Sequence, residues 1–127
     1  MNKTVIDASA LLALLNAEPG AELVAEAVPN GIISAVNQSE VVSKLCEAGI
    51  SESVVHQTLE SLGLEIIPFD KGQSYEAGFL RKCTQKYGLS LGDRACLSLA
   101  GMLGATALTA DKIWTNLPVN VDVKVIR

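Results

Sequence analysis

The 127-residue chain sets 10 Lys+Arg against 14 Asp+Glu, a net charge of −4, and is 49% hydrophobic but only 4% aromatic. That balance argues against a non-specific basic nucleic-acid binder. The length suits one domain over residues 1–127 with an aliphatic core and no need of disulfides or a structural metal, and no apolar run reaches the roughly 18 residues of a membrane helix.

The opening segment MNKTVID is strand-like rather than an apolar leader, and Cys46, Cys83 and Cys96 show no C-x-x-C spacing. The expectation is therefore a cytoplasmic chain with free thiols and no membrane partner. Lys3 to Ile6 predicts a strand ending at Asp7, and Ala8 to Asn16 a helix bearing Leu11, Leu12, Leu14 and Leu15. Pro19 and Gly20 open a second helix to about Val28, with Glu22 and Glu26 on its solvated side. The turn Pro29-Asn30-Gly31 leads into a strand over Ile32 to Ala35. Asn37 then begins a third helix, with N-x-x-E to Glu40 as a capping box and Val41, Val42, Leu45 and Cys46 on its apolar side. Gly49 ends that helix and Ser51 caps the next, whose buried stripe is Val54, Val55, Leu59 and Leu62.

The single histidine, His56, stands four residues from both Glu52 and Glu60. That spacing makes a polar surface face and argues against chemistry centred on histidine. Leu64 to Pro68 is a third strand, and Asp70 caps a long helix to about Tyr87 carrying Tyr75, Ala77, Phe79, Leu80 and Cys83. Arg81, Lys82 and Lys86 fall late in it, where cations suit the helix dipole without any ligand. Ser90 caps a helix over LSLGDRACLSLAGML whose apolar positions run nearly all the way round, the pattern of a buried helix. Ser90 and Asp93 read as S-x-x-D, a variant capping box. Ala105 to Thr109 is a fourth strand stopping at Asp111. A helical turn with Trp114 as core anchor follows, and Val119 to Ile126 is a fifth strand. Alternating strands and helices predict an α/β three-layer sandwich, with a central mostly parallel sheet of four to five strands flanked by helices. In such sheets sites form outside the C-terminal strand ends.

Asp7 and Asp111 each follow a strand, Glu40 opens the helix after another, and Asp93 opens the buried helix, so the topology gathers them along one edge. Each has a capping explanation by itself. Two carboxylates about 5 Å apart nevertheless repel by roughly 3 kcal/mol at an effective dielectric near 20, and capping does not explain why four should converge. A hard divalent cation such as Mg²⁺ or Mn²⁺ does, because it prefers oxygen ligands. Asp7 and Asp93 are the principal candidate ligands and Glu40 and Asp111 complete the set, with the hydroxyls of Ser9 and Thr109 behind them. Lys44, Arg94 and Lys112 follow acids closely and are candidates either for phosphate contact or for ordinary ion pairs.

VIDASALLALL, SEVVSKL, LSLGDRACLSLA and ALTADKIWTNL, in that order, resemble the successive motifs of PIN-domain ribonucleases, in particular the VapC-type toxins of toxin–antitoxin pairs. The resemblance puts Asp7, Glu40, Asp93 and Asp111 on that family's acidic quartet, Ser9 on its small polar position and Thr109 on the hydroxyl before the last acid. It implies a PIN-like fold, Mg²⁺- or Mn²⁺-dependent endonucleolytic cleavage of RNA, a homodimer and inhibition by a cognate antitoxin. Three other classes compete. A receiver domain calls for an adjacent acidic pair after the first strand, where only Asp7 stands, and an aspartyl-nucleophile phosphatase calls for D-x-D, where Asp7-Ala8-Ser9 stands. A degenerate PIN-like module would bind a protein partner without catalysis.

Overall fold

Short extended runs and amphipathic helices alternate through the computed structural model, which describes residues 2–127. The strands are β1 (Thr4–Ile6), β2 (Gly31–Ser34), β3 (Glu65–Ile67), β4 (Thr106–Thr109) and β5 (Val123–Val125). They form one sheet in the order β3-β2-β1-β4-β5, and every neighbouring pair is parallel. The helices are α1 (Ala8–Leu15), α2 (Ala21–Ala27), α3 (Ala35–Glu47), α4 (Glu52–Ser61), α5 (Lys71–Thr84) and α6 (Leu91–Leu103), with short 3-10 turns at Val28–Asn30, Gln85–Tyr87 and Lys112–Asn116.

The period of two along a strand divides the core. Ile6, Ile33 and Leu108 face one way, onto Leu11, Val24, Val41, Val55 and Leu59 of α1 to α4. Val5, Ile32 and Ala107 face the other, onto Cys96, Leu97, Leu99 and Ala100 of α6 and onto Trp114. Two helical layers thus cover a sheet that is buried on both faces, as an all-parallel sheet requires. Trp114 is the core anchor expected of it, 1% exposed. His56 lies on the surface, as its polar neighbours imply.

Several expectations are corrected. α3 starts at Ala35, not Asn37, because the Ser34 hydroxyl at the end of β2 takes the cap and accepts from Val36 N. Glu40 therefore falls in the second turn, and the N-x-x-E capping box does not form. β5 covers only Val123–Val125, since it pairs with Ala107–Thr109 and a four-residue β4 offers no further ladder; Val119 and Val121 instead pack on the α6 layer. α6 is buried through its middle, but Leu91, Met102 and Leu103 stand about half exposed. A 13-residue helix spans roughly 20 Å and overhangs the four-residue strand beneath it, which spans about 13 Å. Val54, Tyr75 and Phe79, read as apolar-face residues, are exposed as well.

No helix among the described residues is long and apolar enough to cross a membrane.

Candidate metal centre

β1 is central, with the chain running to β2 and β3 on one side and to β4 and β5 on the other. The reversal at β1 and β4 opens a crevice above their C-terminal ends, where parallel α/β sheets bind ligands. Asp7 leaves β1 there, and Thr109 and Asp111 leave β4.

Asp7 is 4% exposed and caps α1 by accepting from Ala10 N at 2.8 Å. Thr109 Oγ1 donates to Asp7 Oδ2 at 2.6 Å, and Ser9 Oγ donates to the same carboxylate at 2.8 and 3.0 Å from its two oxygens. Ser9 in turn accepts from Ala110 N at 2.9 Å, and Thr109 Oγ1 accepts from Asp111 N at 3.0 Å. The two hydroxyls predicted behind the acids therefore fasten α1 to the end of β4. Burial pushes the Asp7 carboxyl up to about 6; the hydrogen bonds from Thr109, Ala10 and Ser9 pull the other way, and the Asp93 charge adds to the rise.

The other acids hold local donors too. Ser90 and Asp93 form the reciprocal capping box, with Ser90 N donating to Asp93 Oδ2 at 2.9 Å and Asp93 N to Ser90 Oγ at 3.2 Å. Asp111 caps the 3-10 turn through Ile113 N at 3.0 Å. Glu40 Oε1 accepts from Asn37 Nδ2 at 3.0 Å, and the same amide nitrogen donates to the carbonyl of Gly92 at 3.0 Å. Despite these separate caps all four acids line one cleft of about 250 Å³, together with Ser9, Asn37 and Lys44. Beneath it the wholly buried Cys96 thiol is pushed well above its ordinary range, first by burial and then by the charges of Asp7, Asp93 and Glu40. A second cleft, about 400 Å³ between α3 and α4, is lined by Val42, Val55 and Leu59 and holds none of the four acids.

Among the described residues, no three His, Cys, Asp or Glu side chains stand close enough together to hold one metal ion. Asp93 instead accepts from the Ser90 amide and Asp111 from the Ile113 amide. The donor chemistry nonetheless fits a hard cation. Every candidate is an oxygen, none of the four acids forms a salt bridge with a described residue, and the buried Oδ1 of Asn37 has no hydrogen-bond partner. A buried acid without a counter-charge carries a cost that a bound cation removes.

The three candidate phosphate contacts differ. Lys44 lines the cleft while its ammonium pairs with Glu47 at 3.7 Å. Arg94 Nη1 donates to the Ala77 carbonyl at 3.0 Å, tying α6 to α5. Lys112 is exposed beside Asp111. Asn37 and Gly92 were missed from sequence. The N-x-x-E spacing to Glu40 is the signal for the first, read there as a cap, and a contact 55 positions distant leaves none for the second.

Fold and cleft together define a parallel α/β protein with an acidic centre at its topological switch point. The PIN domain family profile matches residues 4–120, and the chain belongs to the PIN domain family. Its structure is similar to a toxin–antitoxin complex from Klebsiella pneumoniae, at 22% identity with a TM-score of 0.76, over 98% of this chain and 98% of that one. It is similar also to the DNA-bound VapBC of Salmonella typhimurium, at 16% identity with a TM-score of 0.76, over 100% of both chains. VapBC2 of Rickettsia felis bound to a promoter DNA fragment matches at 20% identity with a TM-score of 0.70, over 96% of this chain and 97% of that one. At such identities the likeness speaks for the fold. No curated protein matches the chain significantly.

Proposed function

We propose that this PIN domain is a metal-dependent endoribonuclease and the toxin of a VapBC-type pair, acting in the cytoplasm. The observation that carries the reading is the convergence of Asp7, Glu40, Asp93 and Asp111 on one cleft, with no basic side chain among the described residues paired to any of them. Asp7 and Asp93 would be the principal ligands of Mg²⁺ or Mn²⁺, with Glu40 and Asp111 completing the set directly or through water. Such a cation supplies a bound water of lowered pKa and neutralises charge on a phosphodiester. The protein's own part is to orient. Thr109 and Ser9 fix both oxygens of Asp7, and α6 carries Asp93 on a rigid, largely buried helix. Lys44, which lines the cleft, and the exposed Lys112 next to Asp111 are the candidate phosphate contacts; the Arg94 guanidinium is engaged by the Ala77 carbonyl. A cognate antitoxin is supported by the structural neighbours that are toxin–antitoxin complexes, and a homodimer by the motif resemblance.

One observation favours a second reading. Each of the four carboxylates already has a donor without any metal, as a module that only binds a protein partner would need. Cleavage of a pool of structured and single-stranded RNAs, by partner-free wild type and Asp93→Ala with Mg²⁺, Mn²⁺ or chelator, separates the two. Metal-dependent cutting lost in the variant supports the nuclease. No cutting by folded, metal-loaded wild type supports the binding module.

A further inference from the structure

The Asn37 side chain has a function that neither the quartet nor its hydroxyls describe. It sits in the first turn of α3, on one face of the sheet, and is 1% exposed. Its amide nitrogen faces two groups that can only accept, Oε1 of Glu40 at 3.0 Å and the Gly92 carbonyl of α6 at 3.0 Å. Because an amide has donors on nitrogen alone, these two acceptors fix which way the group is turned and commit both of its N–H bonds. α3 packs with the layer of α1 to α4 and α6 with the opposite one. The Asn37 amide thus bridges the two helical layers over the C-terminal edge of the sheet, at the cleft itself.

Gly92 forms the other half of the arrangement. A Cβ built there would collide with both Glu40 carboxylate oxygens. Glu40 is therefore pressed against bare backbone in the first turn of α6, in space that any side chain at 92 would take. With Oε1 held by Asn37, Oε2 has no protein donor among the described residues.

Resting on the proposed metal-dependent reading, we infer that Asn37 and Gly92 form a clamp that positions Glu40 for the cation. Asn37 holds one carboxylate oxygen and leaves the other free, and Gly92 supplies the space in which that carboxylate lies beside Asp93. Asn37 acts through Glu40 and is a positioning residue. A partner that orients a ligating carboxylate typically changes metal affinity about 10–100-fold when removed, whereas a residue serving only the fold changes stability and leaves the affinity of the folded protein intact.

The two variants separate these roles. Asn37→Ala removes both donors. Gly92→Ala retains them, and the three atoms nearest its methyl all belong to the movable end of Glu40, so the helix is expected to fold with the carboxylate swung away. Alanine is also the better helix former. Mn²⁺ is titrated calorimetrically into full-length wild type, Asn37→Ala, Gly92→Ala and the surface reference His56→Ala, with melting temperatures taken in chelator. The clamp requires a fall in Mn²⁺ affinity of about tenfold or more in both variants, with Gly92→Ala melting no lower than wild type and His56→Ala unchanged. Wild-type affinity in a folded Gly92→Ala overturns it, and that variant alone decides if Asn37→Ala does not fold. Absence of Mn²⁺ binding by wild type removes the metal-dependent reading and the clamp together, an outcome distinct from the variants matching a wild type that binds.

Discussion

The Thr109 hydroxyl donates to Asp7 at 2.6 Å across 102 positions of sequence, and both residues are buried. It fastens the acid that leaves β1 to the strand beside it. Thr109→Val keeps the shape and removes a donor from Asp7 and an acceptor from the Asp111 amide. Ser9 still donates to both Asp7 oxygens, so the loss is that of the hydrogen bonds themselves, about 0.5–1.5 kcal/mol each and up to about 3 for the one to the carboxylate. Urea unfolding in chelator is expected to show a loss of that order; a change within a few tenths would mean that the pair contributes nothing to stability.

Asp7 makes the metal-free protein pH-dependent in a definite direction. Its folded pKa, raised to about 6, lies above the ordinary 3.8, so the folded state binds the proton more tightly. The contribution to stability is complete below about pH 4 and is lost as pH rises through 6, by about 3 kcal/mol for a shift of roughly two units. Melting temperatures in chelator are expected to fall across that window for wild type and to stay flatter for Asp7→Asn, which removes the charge. Parallel profiles for the two proteins would contradict the assignment.

Ser90 and Asp93 share one capping box, which permits the cap and the proposed ligand to be told apart. Ser90→Ala should cost about 1 kcal/mol and retain metal-dependent RNA cleavage. Asp93→Ala should cost a similar amount and abolish it. Equal cleavage by the two variants would reduce Asp93 to a cap.

Much of this organisation is legible in the sequence because it is local. Strand-to-helix handovers mark Asp7 and Asp111, S-x-x-D marks Asp93, and strand–helix alternation predicts the parallel sheet that gathers them. Glu40 lies one turn further into its helix than the strand-to-helix handover predicts. Ser34 and Asn37 are both good cap residues three positions apart, and only the end of β2 decides that Ser34 takes the cap. The Asn37–Gly92 bridge has no period or spacing to announce it. The alternating valines from Val119 read as one long strand, but strand length is set by the partner, and β4 has four residues. Exposure of Phe79 and Val54 depends on where a helix stops touching its neighbours, which amphipathic spacing does not encode.

Away from the cleft, Gly20 takes φ +94°, and a Cβ there would lie 2.6 Å from the Ile126 carbonyl oxygen. Gly20→Ala combines left-handed strain with a backbone collision, so a loss of at least about 1–3 kcal/mol is expected. Mn²⁺ affinity of the folded fraction should be unchanged, because neither Gly20 nor Ile126 lines the acidic cleft. A stability equal to wild type in urea would show that the backbone there moves freely.

The central position of β1 also governs when, during synthesis, the chain acquires its chemistry. The first acid leaves the ribosome about a hundred residues ahead of β4, its neighbour in the sheet. Until then Asp7 lacks the Thr109 hydroxyl, Asp111 is still untranslated, and β1 is covered along one edge only. A nascent chain stalled at Gly104 is accordingly expected to cut no RNA, while the released full-length chain does, as translation arrested at that codon and assayed for cleavage would reveal. With this topology the acidic cleft stays incomplete until β4 and the residues after it have been made.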